Sequence, residues 1–284
     1  DAASPTTGAR TVRYVLTDGD GGTSANYDTT VTVTAVNDAP TFGVGDGTLT
    51  TAIGSGNDVG NSVTVQADGK ILVAGYSNNG SNTDFALTRY NSDGTLDTTF
   101  GSSGGSVTTA IGSGNDSSYS VTVQADGKIL VAGSSFNGSN TDFALVRYNN
   151  DGTLDTTFGG GDGIVTTDFG AGHDYGNSVT VQADGKILVA GESWNGSNDD
   201  FALVRYNNDG TLDTTFGSGD GIVTTALGAS ISYGQSVTVQ ADGKILVAGS
   251  SFNGSKDDFA LVRYNNDGTL DTTFGGGDGM GMTA

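Results

Sequence analysis

Carboxylates are the most abundant groups that could do chemistry in this 284-residue sequence, which has 32 acidic residues and a single histidine, His173. The sequence has no cysteine, so thiol chemistry is excluded, and one histidine cannot supply the ligands that a zinc site needs. A glycosidase would need two carboxylates at a defined separation. The aspartates recur at a fixed period, whereas Glu192 occurs once and is the weak candidate that breaks the pattern. These features favour a non-enzymatic protein.

A repeated turn suggests calcium binding as a second kind of chemistry. Asn149, Asp151 and Asp155, with Gly152 among them, match part of a calcium loop, in which oxygen ligands are two residues apart and glycine allows the tight turn. Arg147 stands where such a loop has its first carboxylate. A cation there would lose one ligand and gain a nearby positive charge. Calcium therefore stays an open alternative at these three metal candidates.

The structural alternative, which we favour, is a hairpin turn whose last aspartate pairs with the strand arginine. In the first copy of the turn, Arg89 shares a strand face with Phe85 and Leu87, so it should be partly buried and need a partner. The expected partner is Asp97 or Asp84.

Aromatic residues on two variable loops form a third candidate group. Aromatic rings next to asparagine and aspartate suit sugar recognition, because rings stack on sugars while amides and carboxylates form hydrogen bonds. The candidate ligand-binding residues are Phe136, Trp194 and Phe252 on one loop and Tyr175 and Tyr233 on the other. The alternative, which we favour, is that each ring packs against the neighbouring repeat.

All of these residues stand in a tandem repeat that organises the chain. The phrase Ser-Val-Thr-Val-Gln-Ala-Asp-Gly-Lys-Ile-Leu-Val-Ala-Gly at 62–75 returns unchanged at 120–133, 178–191 and 236–249, a period of 58 residues. So regular a repeat means one supersecondary unit copied in tandem.

Each unit is predicted to contain four short strands. Alternation over 62–66 indicates a strand with one apolar face, and the run over 70–75 indicates a strand that is covered on both faces. Ala-Asp-Gly-Lys between them is a turn signal. Weaker strands are predicted at 85–90 and 105–111. The fold class is therefore all-β, a β-propeller of four-stranded antiparallel blades, which we favour over a β-solenoid.

The point at which the repeats begin and end leaves two alternatives open, a closed ring of four blades or part of a longer propeller. Residues 41–54 read as a fourth strand without its own first three strands, and the stretch from 273 to the end reads as the start of another. The first could complete the last blade and close a ring of four, within the known range of four to eight blades. The second would compete for the same place, in which case the blades are part of a longer propeller.

Charge and composition limit the partners. The net charge is −21, and the few basic residues sit mostly at two fixed repeat positions, so nucleic acid and anionic membranes are not expected partners. No stretch approaches the ~20 apolar residues of a membrane span. An acidic, cysteine-free sequence rich in Gly, Asn, Asp, Thr and Ser suits an extracellular or bacterial cell-surface location. This expectation rests on composition and not on targeting signals.

The first 40 residues lie outside the repeat and are predicted to form two strands, at 10–16 and 28–36, from the end of a sandwich domain. Val-Leu-Thr-Asp-Gly-Asp-Gly-Gly at 15–22 and the later Val-Asn-Asp-Ala-Pro at 36–40 resemble the last strands and linker of bacterial cadherin-like (VCBS-type) repeats. That resemblance implies calcium ligands at Asp18, Asp20 and Asp38. The alternative is that these are turn and linker aspartates.

Residues 41–284 resemble the delta-60 repeat family through Val-Gln-Ala-Asp-Gly-Lys-Ile-Leu-Val-Ala-Gly, Phe-Ala-Leu-Val-Arg-Tyr-Asn and Asp-Gly-Thr-Leu-Asp-Thr-Thr-Phe-Gly. The resemblance implies a β-propeller in a bacterial secreted or surface protein. We therefore predict a structural or adhesive module whose partners are other domains of the same long chain, a glycan or another surface protein. A carbohydrate-binding propeller is the alternative, and a propeller glycoside hydrolase is a third reading.

Overall fold

The computed structural model describes residues 8–14, 27–33, 47–102, 104–170, 172–228 and 231–282. The chain divides into two compact units, Asp1–Thr41 and Phe42–Ala284. In the first unit, β1 (Gly8–Tyr14) pairs antiparallel with β2 (Tyr27–Val33). The two predicted N-terminal strands are thus confirmed as a hairpin over the described residues.

The second unit contains four antiparallel sheets, each of four strands in chain order. Blade 1 consists of β3 (Asp58–Val65), β4 (Ile71–Asn78), β5 (Thr83–Tyr90) and β6 (Ser106–Thr109). Blade 2 consists of β7 (Asp116–Val123), β8 (Ile129–Phe136), β9 (Thr141–Tyr148) and β10 (Ile164–Thr167). Blade 3 consists of β11 (Asp174–Val181), β12 (Ile187–Trp194), β13 (Asp199–Tyr206) and β14 (Ile222–Thr225). Blade 4 consists of β15 (Ser232–Val239), β16 (Ile245–Phe252), β17 (Asp257–Tyr264) and β18 (Met280–Met282). The all-β fold of four-stranded propeller blades is therefore confirmed.

The first strand of each blade begins earlier than the alternating pattern predicts. In blade 1 it begins at Asp58 instead of residue 62, and a β-bulge lies between Gly60 and Ser62. β3 and β4 lie very close together at this point. A Cβ added to Gly75 of β4 would overlap the Val59 carbonyl of β3. Glycines and the bulge interrupt the alternation, which is why the sequence pattern shows only half of this strand.

The hydrophobic core lies between blades. Side chains of blade 1 such as Leu72, Phe85 and Leu87 pack with Val121 and Val131 of blade 2 in one buried cluster. Two further clusters repeat this arrangement between blades 2 and 3 and between blades 3 and 4. Each Å² of apolar surface that is buried at these three junctions contributes about 25 cal/mol to the free energy of folding. Each blade is thus held mainly by its neighbours, as the repeat predicted.

The two chain ends of the propeller unit take different places. β18 pairs with β17 and fills the position of the fourth strand in blade 4. The segment around Thr51 instead lies against blade 1, where Thr51 Oγ1 accepts a 2.9 Å hydrogen bond from Tyr90. Thr109 makes the same contact with Tyr148 across the next junction, at 2.7 Å. In the described part of the chain, the fourth-strand position of blade 4 is thus filled by β18 and not by the stretch from residue 47 to residue 54.

Candidate functional site

The predicted aromatic candidates lie at the same end of blades 2, 3 and 4. Phe136, Trp194 and Phe252 each end the second strand of a blade, and Trp194 is 39% exposed. A Cβ on Gly172 would lie 2.6 Å from Trp194 Cδ1, and one on Gly114 would lie 2.6 Å from Phe136 Cδ1. These two rings therefore rest on glycines of the preceding loop in their own blade.

The polar side chains of the adjoining loops are hydrogen-bonded to one another. Asn137 donates to Asp142 at 2.8 Å and accepts a hydrogen bond from the Ser139 backbone at 2.8 Å. Asn195 repeats the first contact with Asp200 in blade 3, at 2.7 Å. These amides hold the loop in shape, and so they are not free to bind a ligand.

Blade 3 departs from this pattern around Glu192. Burial raises the pKa of Glu192 to about 7, a hydrogen bond from Asn177 opposes that rise, and the charge of Asp199 adds to it. Tyr175 lies opposite Glu192 on the neighbouring strand. Burial, together with the charges of Asp199 and Glu192, also raises the pKa of Tyr233 in blade 4.

These residues form what we call the Glu192 rim: Tyr175, Asn177, Glu192, Trp194, Asp199 and Tyr233. The rim places Tyr175 opposite Glu192, whose carboxyl protonates near neutral pH, and brings Tyr233 within the electrostatic reach of Glu192 and Asp199. It could hydrogen-bond and stack on a neutral polar ligand such as a sugar. The histidine ring of His173 stacks beside Tyr175, with centroids 6.3 Å apart.

Three aspartates meet at the junction of blades 2 and 3. One carboxylate oxygen from each of Asp142, Asp168 and Asp174 lies within 4.8 Å of the others. Burial, aided by the charges of Asp168 and Asp142, raises the pKa of the fully buried Asp174 to about 6. The cluster could give a divalent cation three of the six to eight oxygens that calcium takes.

Sequence reasoning missed this cluster because its members come from three separate elements in two blades. The signal that could have found it is Asp168, which replaces the alanine present at the same repeat position, Ala110 and Ala226. The buried pair is repeated without the third carboxylate at the junction of blades 1 and 2, as Asp84 and Asp116. Asp168 is thus the specific feature of one junction.

The predicted calcium turn is part of a charged cluster. Asp155 Oδ2 accepts from Arg147 Nε at 2.7 Å and from Lys128 Nζ at 2.9 Å. Although burial raises its pKa, the hydrogen bonds from Lys128 and Thr157 and the charge of Arg147 hold the pKa of Asp155 well below its usual range. The carboxylate oxygen a cation would need is therefore in contact with two cationic side chains.

The other two members of this turn have local partners. Asn149 Oδ1 accepts from Lys128 at 3.2 Å, and Asp151 Oδ1 accepts from the Thr153 backbone at 3.0 Å. Hydrogen bonds from the hydroxyl and backbone of Thr153 also lower the pKa of Asp151. The expected pairing of the strand arginine is confirmed, since Arg89 Nε lies 2.8 Å from Asp97 Oδ2. The remaining metal candidates, Asp18, Asp20 and Asp38, lie outside the described residues.

The junction between blades uses the most regular residues of the repeat. Gln66 donates to Asn150 Oδ1 at 2.8 Å, and Arg89 donates to the Asn150 backbone carbonyl. The Phe85 ring lies over Gly133 of the next blade, 2.8 Å from where a Cβ would stand. A side chain at this position would overlap the Ser117 carbonyl of its own blade and would also meet the ring. Equivalent contacts occur at the other two junctions.

Comparison with known families agrees with a β-propeller built from four repeats. Four segments, residues 66–100, 124–158, 182–216 and 240–274, match the family model of a beta-propeller domain of unknown function, DUF5122. The four repeats are similar to those of this family, which supports a repeat β-propeller. No curated protein matches the chain.

Several solved structures are similar to these propeller repeats at low identity. A polysaccharide lyase of family PL25, an ulvan lyase bound to -[GlcA(1-4)Rha3S]-, is 12% identical with a TM-score of 0.45 over 72% of this chain and 55% of its own. A streptogramin B lyase is 16% identical with a TM-score of 0.39, over 75% of this chain and 55% of its own. A protein described as a putative gluconolactonase is 13% identical with a TM-score of 0.36, over 73% and 60%. The chain thus spans little more than half the length of these proteins, and none of them bears on its activity.

Proposed function

We propose that this chain is a non-enzymatic structural and adhesive repeat module of a large bacterial surface or secreted protein. The observation that carries the proposal is that side chains common to the repeats form the contacts between neighbouring blades. At the junction of blades 2 and 3, Gln124, Phe143 and Arg147 contact the next blade, and Asp155 pairs with the arginine. These residues build the scaffold and are not available for a reacting ligand.

The wider setting of the module is part of the same proposal. The high negative charge and the composition rich in Gly, Asn, Asp, Thr and Ser suit an extracellular or cell-surface location, with other domains of the same long chain as neighbours. None of the described segments is an apolar helix of the length that a membrane crossing needs. The finer family names, delta-60 for the repeats and cadherin-like for the N-terminal hairpin, rest on the sequence motifs.

Calcium binding by the N-terminal segment is proposed on that cadherin-like resemblance. Thermal unfolding of the whole chain with calcium and with a chelator tests it. The proposal expects a calcium-dependent rise in melting temperature that is lost in the combined Asp18→Asn, Asp20→Asn and Asp38→Asn variant. Unchanged melting with calcium would contradict it.

The structural role is tested by a screen of the intact chain against a glycan and polysaccharide array, together with an assay for release of reducing or unsaturated ends. A purely structural role expects neither binding nor turnover. Turnover that disappears in Glu192→Gln while the fold is kept would overturn the non-enzymatic role, since Glu192 is the acid with a pKa near neutrality.

A second candidate function is carbohydrate binding at the Glu192 rim. It is favoured by the exposed Trp194 ring beside polar groups of blade 3, an arrangement that the other blades lack. Titration of array-positive glycans against Trp194→Ala tests it. Phe252→Ala, at the same repeat position in blade 4, is the matched control. Binding that is lost only in Trp194→Ala supports the candidate, and equal loss or equal retention in both variants contradicts it.

A further inference from the structure

Two buried carboxylates at the junction of blades 2 and 3 each have one oxygen without a donor. Asp142 is 6% exposed and Asp174 is fully buried. The Oδ2 atoms accept hydrogen bonds, from Asn137 Nδ2 at 2.8 Å and from the Phe169 backbone at 2.9 Å respectively. The two Oδ1 atoms are shielded from solvent and have no hydrogen-bond partner in the part of the chain that the structure describes. A buried carboxylate oxygen needs a donor or a cation beside it, so these atoms point to a positively charged ligand.

Asp168 brings a third carboxylate to this pair. One of its carboxylate oxygens lies within 4.8 Å of one from Asp142 and one from Asp174. Burial raises the pKa of both buried aspartates, and the charge of Asp168 adds to both rises. Hydrogen bonds from Asn137 and Ser193 oppose these rises. Three carboxylates so close together repel one another unless a proton or a cation lies among them.

We propose that Asp142, Asp168 and Asp174 bind one calcium ion at the junction of blades 2 and 3. Calcium–oxygen distances of 2.3–2.6 Å allow ligand oxygens to lie up to about 5 Å apart across the ion, which the spacing of these three oxygens satisfies. The Gly170 backbone donates a 2.7 Å hydrogen bond to Asp168 Oδ1 and so positions the third ligand.

The exposure of the three ligands differs in a way that suits calcium. Asp168 is exposed, so a hydrated ion can reach the site from its side and keep water as its remaining ligands. Calcium tolerates such an irregular ligand set, whereas magnesium demands near-ideal octahedral geometry and uses fewer carboxylates. The ion would join two blades, since Asp142 and Asp168 belong to blade 2 and Asp174 begins blade 3. This inference goes beyond the structural role and does not depend on it.

The junction of blades 1 and 2 has the same buried pair without the third carboxylate. Asp84 and Asp116 are buried there, and the Oδ1 atom of each lacks a hydrogen-bond partner within the described segments. Ala110 stands at the repeat position of Asp168 and is exposed. This junction is therefore one carboxylate short of the proposed site.

The junction of blades 3 and 4 is two carboxylates short. Asp200 is the buried counterpart of Asp142, but Ser232 stands at the repeat position of Asp174. The exposed Ala226 stands at the position of Asp168. The two sister junctions thus provide matched tests of which carboxylates the ion needs.

Calorimetric titration of calcium into the full chain tests the proposal in the combined Asp18→Asn, Asp20→Asn and Asp38→Asn variant, from which the N-terminal candidate ligands have been removed. The expected result is one ion per chain, with a dissociation constant of about 0.1–1 mM, the range of extracellular calcium modules. Asp168→Ala, which introduces the residue of the sister blades, should weaken binding about tenfold or more.

The control for that loss is Asp162→Ala. Asp162 is also exposed, and it lies before β10, whereas Asp168 lies just after that strand. The substitution removes the same charge from the same blade, so it should leave the calcium affinity unchanged. Circular dichroism checks that both variants keep the fold.

A gain of binding gives a result that misfolding cannot imitate. Ala110→Asp completes three carboxylates between blades 1 and 2, so it should add a second calcium ion per chain. Ala226→Asp is its matched control and should add none, because Ser232 supplies no carboxylate. Equal gains in the two variants would overturn the proposal, since they would show that added surface charge and not the buried pair attracts the ion.

Two further results would also overturn the proposal. The first is the absence of calcium binding up to about 10 mM, roughly ten times the weakest expected dissociation constant. A proton held between Asp142 and Asp174 would then relieve the repulsion instead of a cation. The second is binding that Asp168→Ala leaves unchanged. The N-terminal calcium proposal is judged separately, by the difference between the natural chain and its N-terminal variant, and the structural role by the glycan and turnover assays.

Discussion

Arg147 in blade 2 donates a hydrogen bond from its guanidinium to the backbone carbonyl of Asn208 in blade 3. The same side chain pairs with Asp155 in its own blade, and its Cζ lies 4.4 Å from the centre of the Phe158 ring. One arginine thus ties the turn of its own blade to the backbone of the next. The contact recurs from Arg89 and Arg205, which makes it a general device of these repeats.

Removal of the carboxylate from this cluster should destabilise the propeller strongly. Asp155→Asn leaves two cationic side chains without their common partner, and Arg147 is only 3% exposed. Loss of one partner of a buried pair costs about 3–5 kcal/mol. Urea denaturation at neutral pH measures the change.

The matched control is Asp151→Asn, because Asp151 lies four residues away in the same turn, is exposed, and its carboxylate hydrogen-bonds to Thr153 within the turn. It should cost about 1 kcal/mol or less. Equal effects of the two substitutions would contradict the assignment of the ion pair as the stabilising contact.

Stability should increase as pH falls from 7 towards 5. The pKa of Asp174 is raised to about 6 and that of Glu192 to about 7, so the folded chain holds protons that the unfolded chain releases. Charging these buried groups therefore destabilises the fold as pH rises through their folded pKa values. Two pKa units correspond to about 2.7 kcal/mol, which gives an order of magnitude for Asp174.

Asp174→Asn should flatten the pH dependence of chemical denaturation between pH 5 and 7 by about 1–3 kcal/mol. Asp168→Ala, which places the residue of the sister blades at that position, should flatten it less, since it removes only a neighbouring charge. A slope that is unchanged in both variants would mean that the carboxylate cluster does not titrate in this range.

The exposed tryptophan should contribute little to stability. Trp194 is 39% exposed, whereas Phe158 is fully buried at a blade junction. Phe158→Ala should cost about 3–5 kcal/mol, because it removes a core side chain and leaves a cavity. Trp194→Ala should cost roughly half of that or less, since much of its surface stays in water. Comparable melting temperatures for the two variants would show that the indole is a core residue instead.

The sequence pattern predicted the strands that have a clear period and missed the features that depend on tertiary contacts. The apolar run Ile129–Ala132 is buried on both faces, as expected for a strand between two sheets. The need of a partly buried cation for a partner predicted that Arg89 pairs with Asp97 or Asp84, and the structure selects Asp97. The start of β3 at Asp58 and the meeting of Asp142 with Asp174 were not predicted, because a bulge hides the first and the second joins two blades.

The comparison of two equivalent phenylalanines tests the central claim most directly. Phe143 and Phe259 occupy the same repeat position, but one lies under the next blade and the other is exposed. Urea denaturation at low protein concentration should show a loss of about 3–5 kcal/mol for Phe143→Ala. Phe259→Ala should change the stability of the single chain by about 0.5 kcal/mol or less. Equal losses at both positions would contradict the claim that the blades are stabilised by their junctions.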